Sequence, residues 1–178
     1  MIYAGIDEAG YGPLLGPLCV GVSAFRLPDV RDAASAPDLW SLLSAGVCRK
    51  PKDARRRIAV ADSKKLKSAG KQPTVHLERG VLAFTSHALG SDAALFEELG
   101  VHARASKAAP WHALELPLPE CHTADELAIA RNVVRRAHER AGVELARFGV
   151  TALDAPAFNA LYRELANKAH VNMSLVFE

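Results

Sequence analysis

The N-terminal stretch IYAGIDEAGYGPLLGPLCVGVSAFRL, residues 2–27, decides how the chain begins to fold. Residues 1–7 alternate weakly and end in acid, and residues 17–27 are rich in small and β-branched side chains, so both predict β-strands. The link between them is rich in glycine and proline, which favours an antiparallel hairpin with a wide turn. The hairpin brings Asp7 and Glu8 to the point where the backbone changes direction.

This acid pair has the chemistry of a site for a cation and a phosphate. Neighbouring side chains of a regular strand point to opposite faces, but two acids at a strand end can reach one ligand. Gly10 and Gly12 permit unusual backbone angles and let a phosphate approach bare N–H groups. Carboxylates suit Mg²⁺ or Mn²⁺, so we predict such an ion at Asp7 and Glu8. Taken alone, an acid pair is more often a solvent-facing pair beside a structural turn, because motifs this short recur by chance.

Charge is distributed unevenly along the chain. The formal net charge is +2, yet residues 49–71 contain ten Lys/Arg and two Asp, a net charge of +8. The remaining residues carry twelve Lys/Arg and eighteen Asp/Glu, a net charge of −6. We call residues 49–71 the basic block. Such a block indicates a polyanionic partner, and the alternative is a solvated basic loop.

The middle of the chain predicts short elements. Residues 28–57 are polar and end in basic residues, so we interpret them as an insertion, with one short helix at residues 39–43. Residues 58–62 predict a short extended piece. Helical spacing over residues 74–90 predicts a helix that ends at Gly90, and Ser91 is expected to cap another short helix.

Stronger signals follow residues 101–122, which we expect to be irregular. Thr123 and Glu126 have the spacing of a capping box and predict a helix that ends at Gly142. A strand is expected over residues 144–154, and Asp154 is expected to cap the next helix. From there the apolar spacing predicts one uninterrupted helix to Glu178, so the chain is expected to end inside a helix, with an incomplete fold.

Two motifs resemble a known enzyme family. GIDEAGYGPLLGP, residues 5–17, resembles the first motif of ribonuclease HII, the type 2 ribonuclease H family, which usually reads GxDEAGRGPLAGP. ADSKKL, residues 61–66, resembles the second motif of that family, usually DSKKL, and the two occur in the same order. Residues 148–175 resemble the following strand and helix more loosely.

The resemblance implies an α/β fold: a ribonuclease H-like mixed sheet with an antiparallel N-terminal hairpin, flanked by helices. The length of 178 residues suits a single domain over residues 1–178. The resemblance also implies an endonuclease that cleaves the RNA strand of RNA–DNA hybrids, or cleaves at ribonucleotides embedded in duplex DNA. Its four-carboxylate site holds Mg²⁺ or Mn²⁺, and the matching residues imply catalytic and metal-binding roles at Asp7 and Glu8. Substrate contacts are implied by the motif match at six further positions: Gly10, Tyr11, Gly12, Ser63, Lys64 and Lys65.

The match has two departures. Tyr11 stands where the family has arginine, so a cation beside the phosphate is absent and tyrosine can instead stack on a sugar or base. The third and fourth acids of the family have no matching position here, and Asp154 is better explained as a helix cap. We therefore expect the chain to carry only part of the active site, as a C-terminally truncated member of the family.

Other functions explain the residues less well. A dinucleotide site requires a third glycine where Leu15 stands. An actin-like phosphotransferase would require Thr, Ser or Lys in the turn, and residues 9–17 contain none of these. A catalytically inactive nucleic-acid-binding protein remains the principal alternative. The seven histidines, with Cys121 beside His122, raise the alternative of zinc, but their spacing is not that of a structural zinc site.

Composition places further limits on function. No stretch reaches the ~20 apolar residues that a membrane span requires. The odd number of cysteines, Cys19, Cys48 and Cys121, predicts free thiols in a reducing, cytoplasmic compartment. The sequence gives no oligomeric state.

Overall fold

Two antiparallel strands form the N-terminal hairpin, as expected. The computed structural model describes residues 1–10, 16–27, 30, 32–101 and 114–176. Strand β1 spans Ile2–Ala9 and β2 spans Leu18–Arg26. At the open end of the hairpin, the Leu27 N–H donates to the Met1 carbonyl at 2.9 Å, and the Met1 nitrogen donates to the Leu27 carbonyl at 2.8 Å.

A third strand completes this sheet. Strand β5, Glu144–Leu153, lies on the other side of β2, which gives the order β1-β2-β5 with antiparallel neighbours. Parallel pairing occurs in a separate two-stranded sheet, in which β3 (Val47–Cys48) pairs with β4 (Ile58–Ala59). The α/β class is therefore confirmed, with antiparallel and parallel pairing divided between two sheets, while the ribonuclease H-like arrangement stays a prediction.

The chain divides into two compact units, each assembled from separate stretches of sequence. Unit 1 contains residues 1–3, 25–91 and 117–145, and unit 2 contains residues 4–24, 92–116 and 146–178. The prediction of a single domain is not tested by this division.

Unit 1 is organised around its longest helix. Helix α5, Ala124–Ala141, begins at the capping box of Thr123 and Glu126 and ends at Gly142, whose φ is 63°, as the sequence predicted. Its buried face consists of Leu127, Ala130, Val134 and Ala137. Because these apolar residues recur every three or four positions, they form one stripe that packs against the rest of the unit.

The segment interpreted as an insertion contributes to this core. Helix α1, Leu39–Leu42, lies where a short helix was expected. Leu43 and Val47 are buried with Ala137 of α5, and Trp40 packs against the same cluster. Its indole N–H donates to the Val60 carbonyl at 2.8 Å, so both the ring and its polar atom are held by the protein.

Unit 2 has its own core beneath the sheet. Leu18 and Val20 of β2 and Leu153 of β5 pack against residues of the C-terminal helices, Phe158, Val171 and Leu175. The helices are α6, Ala155–Leu165, and α7, Lys168–Val176. Helix α4, Asp92–Glu98, also belongs to this unit and lies where a short helix was expected.

The C-terminal helix is not continuous, which corrects the expectation. Helix α6 ends at Ala166, which adopts the left-handed conformation with φ of 51°. The Asn167 side chain then accepts a hydrogen bond from the Ala169 N–H at 2.8 Å and starts α7. Asparagine is a good helix N-cap, so Asn167 marks the break between the helices although neither glycine nor proline is present there.

Helix α3 is also shorter than expected, because it spans Val75–Leu82 and does not reach Gly90. The Thr85 Oγ1 atom, a single donor, lies within hydrogen-bonding distance of two carbonyl oxygens, those of Leu82 at 3.0 Å and His87 at 2.9 Å. This side chain therefore satisfies a carbonyl that a continuing helix would have used.

The remaining fold-level expectations concern the thiols and the membrane. The three cysteines are free thiols, and burial raises the pKa of Cys19. Over the described ranges, no helix combines the length and the apolar character needed to cross a bilayer.

Candidate functional site

The acid pair lies inside β1 rather than at its end. The strand continues through Ala9, two positions further than the sequence predicted. Asp7 and Glu8 are both exposed, and the Asp7 Oδ1 atom accepts a hydrogen bond from the Glu8 N–H at 3.0 Å. Since successive side chains of a strand point to opposite faces, this position separates the two carboxylates rather than bringing them together.

Gly10 shapes the backbone immediately after the acids. Its φ is +79°, and a Cβ atom there would lie 2.4 Å from the Pro17 carbonyl oxygen. Only glycine fits this position without a backbone shift, which agrees with the conformational role predicted for it. Tyr11 and Gly12 lie outside the described residues.

Asp7 and Glu8 have the ligand chemistry that a divalent ion prefers, but two carboxylates are fewer than such an ion requires. Carboxylate oxygens are the ligands that Mg²⁺ and Mn²⁺ prefer, yet each ion requires several of them. In the part of the chain that the structure describes, no group of three or more His, Cys, Asp or Glu side chains could hold a metal ion. Asp7 and Glu8 would supply only part of such a ligand set, so the metal-binding role predicted for them stays a prediction.

The second motif forms a short exposed helix. Helix α2, Ser63–Leu66, is capped by Asp62, whose Oδ1 accepts from the Lys64 N–H at 2.8 Å. Leu66 is buried, whereas the side chains of Ser63, Lys64 and Lys65 are exposed. The buried leucine anchors the turn, and the two cations face solvent.

The basic block exposes most of its positive charge. Nine of its ten Lys/Arg side chains are exposed, and Arg57 is half-buried. Among the described residues, the only ion pair of the block joins Arg49 to Asp38, at 2.8 Å. Hydrogen bonding from the Ser41 hydroxyl, together with Arg49, lowers the pKa of Asp38. The guanidinium of Arg49 also lies 4.3 Å from the centroid of the Trp40 ring.

The predicted site residues belong to different parts of the molecule. Asp7, Glu8 and Gly10 lie in unit 2, whereas Ser63, Lys64 and Lys65 lie in unit 1. Within unit 1, the lysines of α2 are continuous in sequence with the rest of the basic block. Asp154 is buried and caps α6 by accepting from the Ala157 N–H at 2.9 Å, as expected.

The sequence did not indicate the role of Glu78. This carboxylate, on α3, accepts hydrogen bonds from the Glu120 N–H, from the Cys121 N–H at 2.8 Å, and from His122 Nδ1 at 2.8 Å. The side chains of His122 and Glu78 are only 11% and 8% exposed. Through these hydrogen bonds, Glu78 connects helix α3 to residues 120–122, which precede α5. No sequence signal could have paired residues 42 or more positions apart.

A cavity of about 650 Å³ lies in unit 1 beside α5. Its lining includes Phe84, Arg131 and His138. The rings of Phe25 and Phe84 contact the His138 ring edge-on, at centroid distances of 5.9 and 5.8 Å. Burial lowers the pKa of His138, and its Nε2 atom is buried without a hydrogen-bond partner among the described residues.

Comparison of this chain with known protein families, with curated proteins and with solved structures finds no match. The functional interpretation therefore depends on the residues and on the site geometry.

Proposed function

We propose that this chain binds nucleic acid through its basic block, with RNA–DNA hybrids or ribonucleotide-containing duplexes as the substrate class. The observation that carries the proposal is the exposure of nine cations in residues 49–71, of which Arg49 alone is ion-paired within the described ranges. Phosphate groups of nucleic acid bind such unpaired cations favourably, because each phosphate that a Lys or Arg neutralises releases counterions from the nucleic acid. The hybrid preference comes from the resemblance to ribonuclease HII.

The second motif supports the same function. Asp62 holds the first turn of α2 so that Lys64 and Lys65 remain exposed. A short, anchored turn loses less conformational entropy on contacting a phosphate backbone than a free loop would. These two lysines would position the duplex without reading its sequence, since phosphate contacts carry no base information.

Hydrolysis is the further step that the resemblance implies. Asp7 and Glu8 would be the first ligands of a Mg²⁺ or Mn²⁺ ion that assists cleavage of a phosphodiester. Because two carboxylates do not complete such a site, cleavage requires ligands beyond those that the described residues bring together. The acids themselves are exposed and accessible to an ion from solvent.

Binding is tested by reversing charge inside and outside the block. Arg55→Glu/Arg56→Glu removes two exposed cations of the block, and Arg147→Glu/Arg163→Glu makes the same change at exposed positions elsewhere. Fluorescence anisotropy with a labelled RNA–DNA hybrid should show about tenfold weaker binding for the first variant, and a much smaller change for the second. Equal losses for both variants would contradict a role for the block.

Cleavage is tested with duplex DNA that contains one ribonucleotide. The endonuclease proposal expects cleavage that requires Mg²⁺ or Mn²⁺ and is lost in Asp7→Asn. Asp125→Asn, at an exposed position in the first turn of α5, makes the same chemical change as a control and should remain active. If wild-type protein binds the duplex but never cleaves it, the endonuclease proposal fails and the binding proposal stands.

A non-catalytic nucleic-acid-binding protein is the second candidate. The position of Asp7 and Glu8 at consecutive strand residues favours it, because such residues point away from each other. This candidate expects the same hybrid affinity with and without divalent ions. Affinity that rises with Mn²⁺ and falls in Asp7→Asn would instead favour an ion held by the acids.

A further inference from the structure

Strand β1 is an edge of its sheet, with no neighbour on its outer side among the strands that the structure describes. It is the outer strand of the order β1-β2-β5, and all eight of its residues are exposed. Ile2 is 54% exposed, Tyr3 41% and Ile6 50%. Natural edge strands are usually blocked by a charge, a proline or a bulge, and the stretch from Ile2 to Ile6 contains neither a charge nor a proline.

The hydrogen bonds of the hairpin determine which residues face the open edge. Met1 and Leu27 exchange both backbone hydrogen bonds, so they form a hydrogen-bonded pair of the antiparallel ladder. Such pairs recur at every second residue, so the amides of Tyr3 and Gly5 also point towards β2. The amides of Ile2, Ala4 and Ile6 therefore point outwards, and they can pair with another strand.

We propose that a second copy of this chain pairs with that edge, β1 against β1, antiparallel and centred on Ala4. The two three-stranded sheets then form one continuous sheet across a two-fold axis. This centre uses the outward amides of Ile2, Ala4 and Ile6 from both copies as hydrogen-bonded pairs. The inference depends on the edge strand and is independent of any nuclease activity.

The sequence of β1 is complementary to itself in this register. On one face, Ile2 lies opposite Ile6 of the second copy, and the two-fold axis repeats this apolar pair. On the other face, Tyr3 lies opposite Gly5 of the second copy. The aromatic ring packs over the backbone at Gly5, which has no side chain to cover it. Neither Asp7 nor Glu8 faces another acid.

The register centred on Ile6 is less favourable. A centre on Ile6 would place Ala4 against Glu8 of the second copy, which sets a carboxylate beside an apolar residue at each end of the pair. It would also leave Ile2 without an opposing strand residue. Self-complementarity is what favours a second copy over a foreign strand, because this match of isoleucine, tyrosine and glycine is already present within β1.

The test is the molar mass in solution, measured by sedimentation equilibrium over a concentration series. Wild-type protein is expected to approach twice the chain mass of 19.1 kDa as concentration rises. Ile6→Glu places a charge at the paired edge and should hold the mass at that of one chain. Ile129→Glu, at a position of α5 that is 62% exposed, is the matched control and should still dimerise.

A compensating variant tests the register. Ile2→Lys/Ile6→Glu places opposite charges across the proposed pair in both halves, so it should recover the dimer that Ile6→Glu alone abolishes. Absence of this recovery overturns the Ala4 centre. A wild-type chain that stays monomeric, including one that binds only an added strand peptide, overturns the proposal, as does an Ile6→Glu variant with unchanged mass. Circular dichroism of each variant confirms that the fold is retained.

Discussion

Gly10 combines two constraints at one position. Its φ of +79° is unfavourable for other residues, and a Cβ there would lie 2.4 Å from the Pro17 carbonyl oxygen. Gly10→Ala should therefore lower the free energy of unfolding by about 1–3 kcal/mol, measured by urea denaturation. Gly16→Ala is the control, because nothing lies within 4 Å of its added Cβ. Similar losses at both positions would contradict this account.

His138 makes stability depend on pH. Burial lowers its pKa in the folded chain below the value of 6.5 expected when unfolded. As pH falls through 6.5, the unfolded chain gains a proton that the folded chain does not, so the free energy of unfolding decreases until the folded pKa is passed. At pH values well above 6.5 the imidazole is neutral in both the folded and the unfolded chain, so it does not lower the free energy of unfolding there.

The pH prediction is checked by urea denaturation at about pH 8 and about pH 5. Wild-type protein should lose more stability between these values than His138→Leu, which has no group to titrate at this position. His170→Leu removes an exposed histidine of α7 and should leave the wild-type dependence unchanged. A wild-type slope retained in His138→Leu would assign the effect to another group.

Among the elements, α5 has the most complete start signal. The Thr123 hydroxyl accepts from the Glu126 N–H at 3.2 Å, and the Glu126 carboxylate accepts from the Thr123 N–H at 2.8 Å, which lowers the pKa of Glu126. Thr123→Ala should cost about 1 kcal/mol of unfolding free energy, measured by urea denaturation. Thr74→Ala makes the same change at the start of α3, where the side chain makes no capping hydrogen bond, and should cost much less.

Local signals account for the elements that the sequence predicted well. The hairpin strands, the limits of α5 and the cap at Asp154 each depend on residues close together in sequence. The ends of α3 and α6 could not be predicted from glycine and proline, since Thr85 and Asn167 define them through side-chain hydrogen bonds. Such polar residues also occur within helices, so their capping role depends on tertiary packing.

The candidate site was predicted less completely than the elements. Motif residues and the basic block could be identified by position, because residue type and charge are read directly from sequence. The end of β1 could not be predicted. Because the strand continues two residues beyond Asp7, both Asp7 and Glu8 lie within it, and neighbouring strand residues point to opposite faces. The hydrogen bonds of Glu78 depend on chain folding over long separations, which no local pattern encodes.

At the scale of the whole molecule, the separation of charge determines how binding should respond to salt. The basic block has a net charge of +8 and the rest of the chain −6. Affinity for a hybrid should fall linearly in a log–log plot against salt, and Lys64→Ala/Lys65→Ala should reduce the slope by about 0.7–0.9 for each phosphate that these lysines neutralise. Anisotropy titrations in rising potassium chloride measure this slope, and an unchanged slope would remove these lysines from the interface.

The stacking of Arg49 on Trp40 gives the basic block an optical reporter of its own. The guanidinium lies 4.3 Å from the ring centroid, while the indole N–H is held by Val60. A phosphate that draws Arg49 away would change the polarity around an indole that itself stays in place. The fluorescence emission of Trp40 would then change as nucleic acid binds to the basic block, without any attached dye. Trp40→Phe would remove that change in emission while leaving the cations in position.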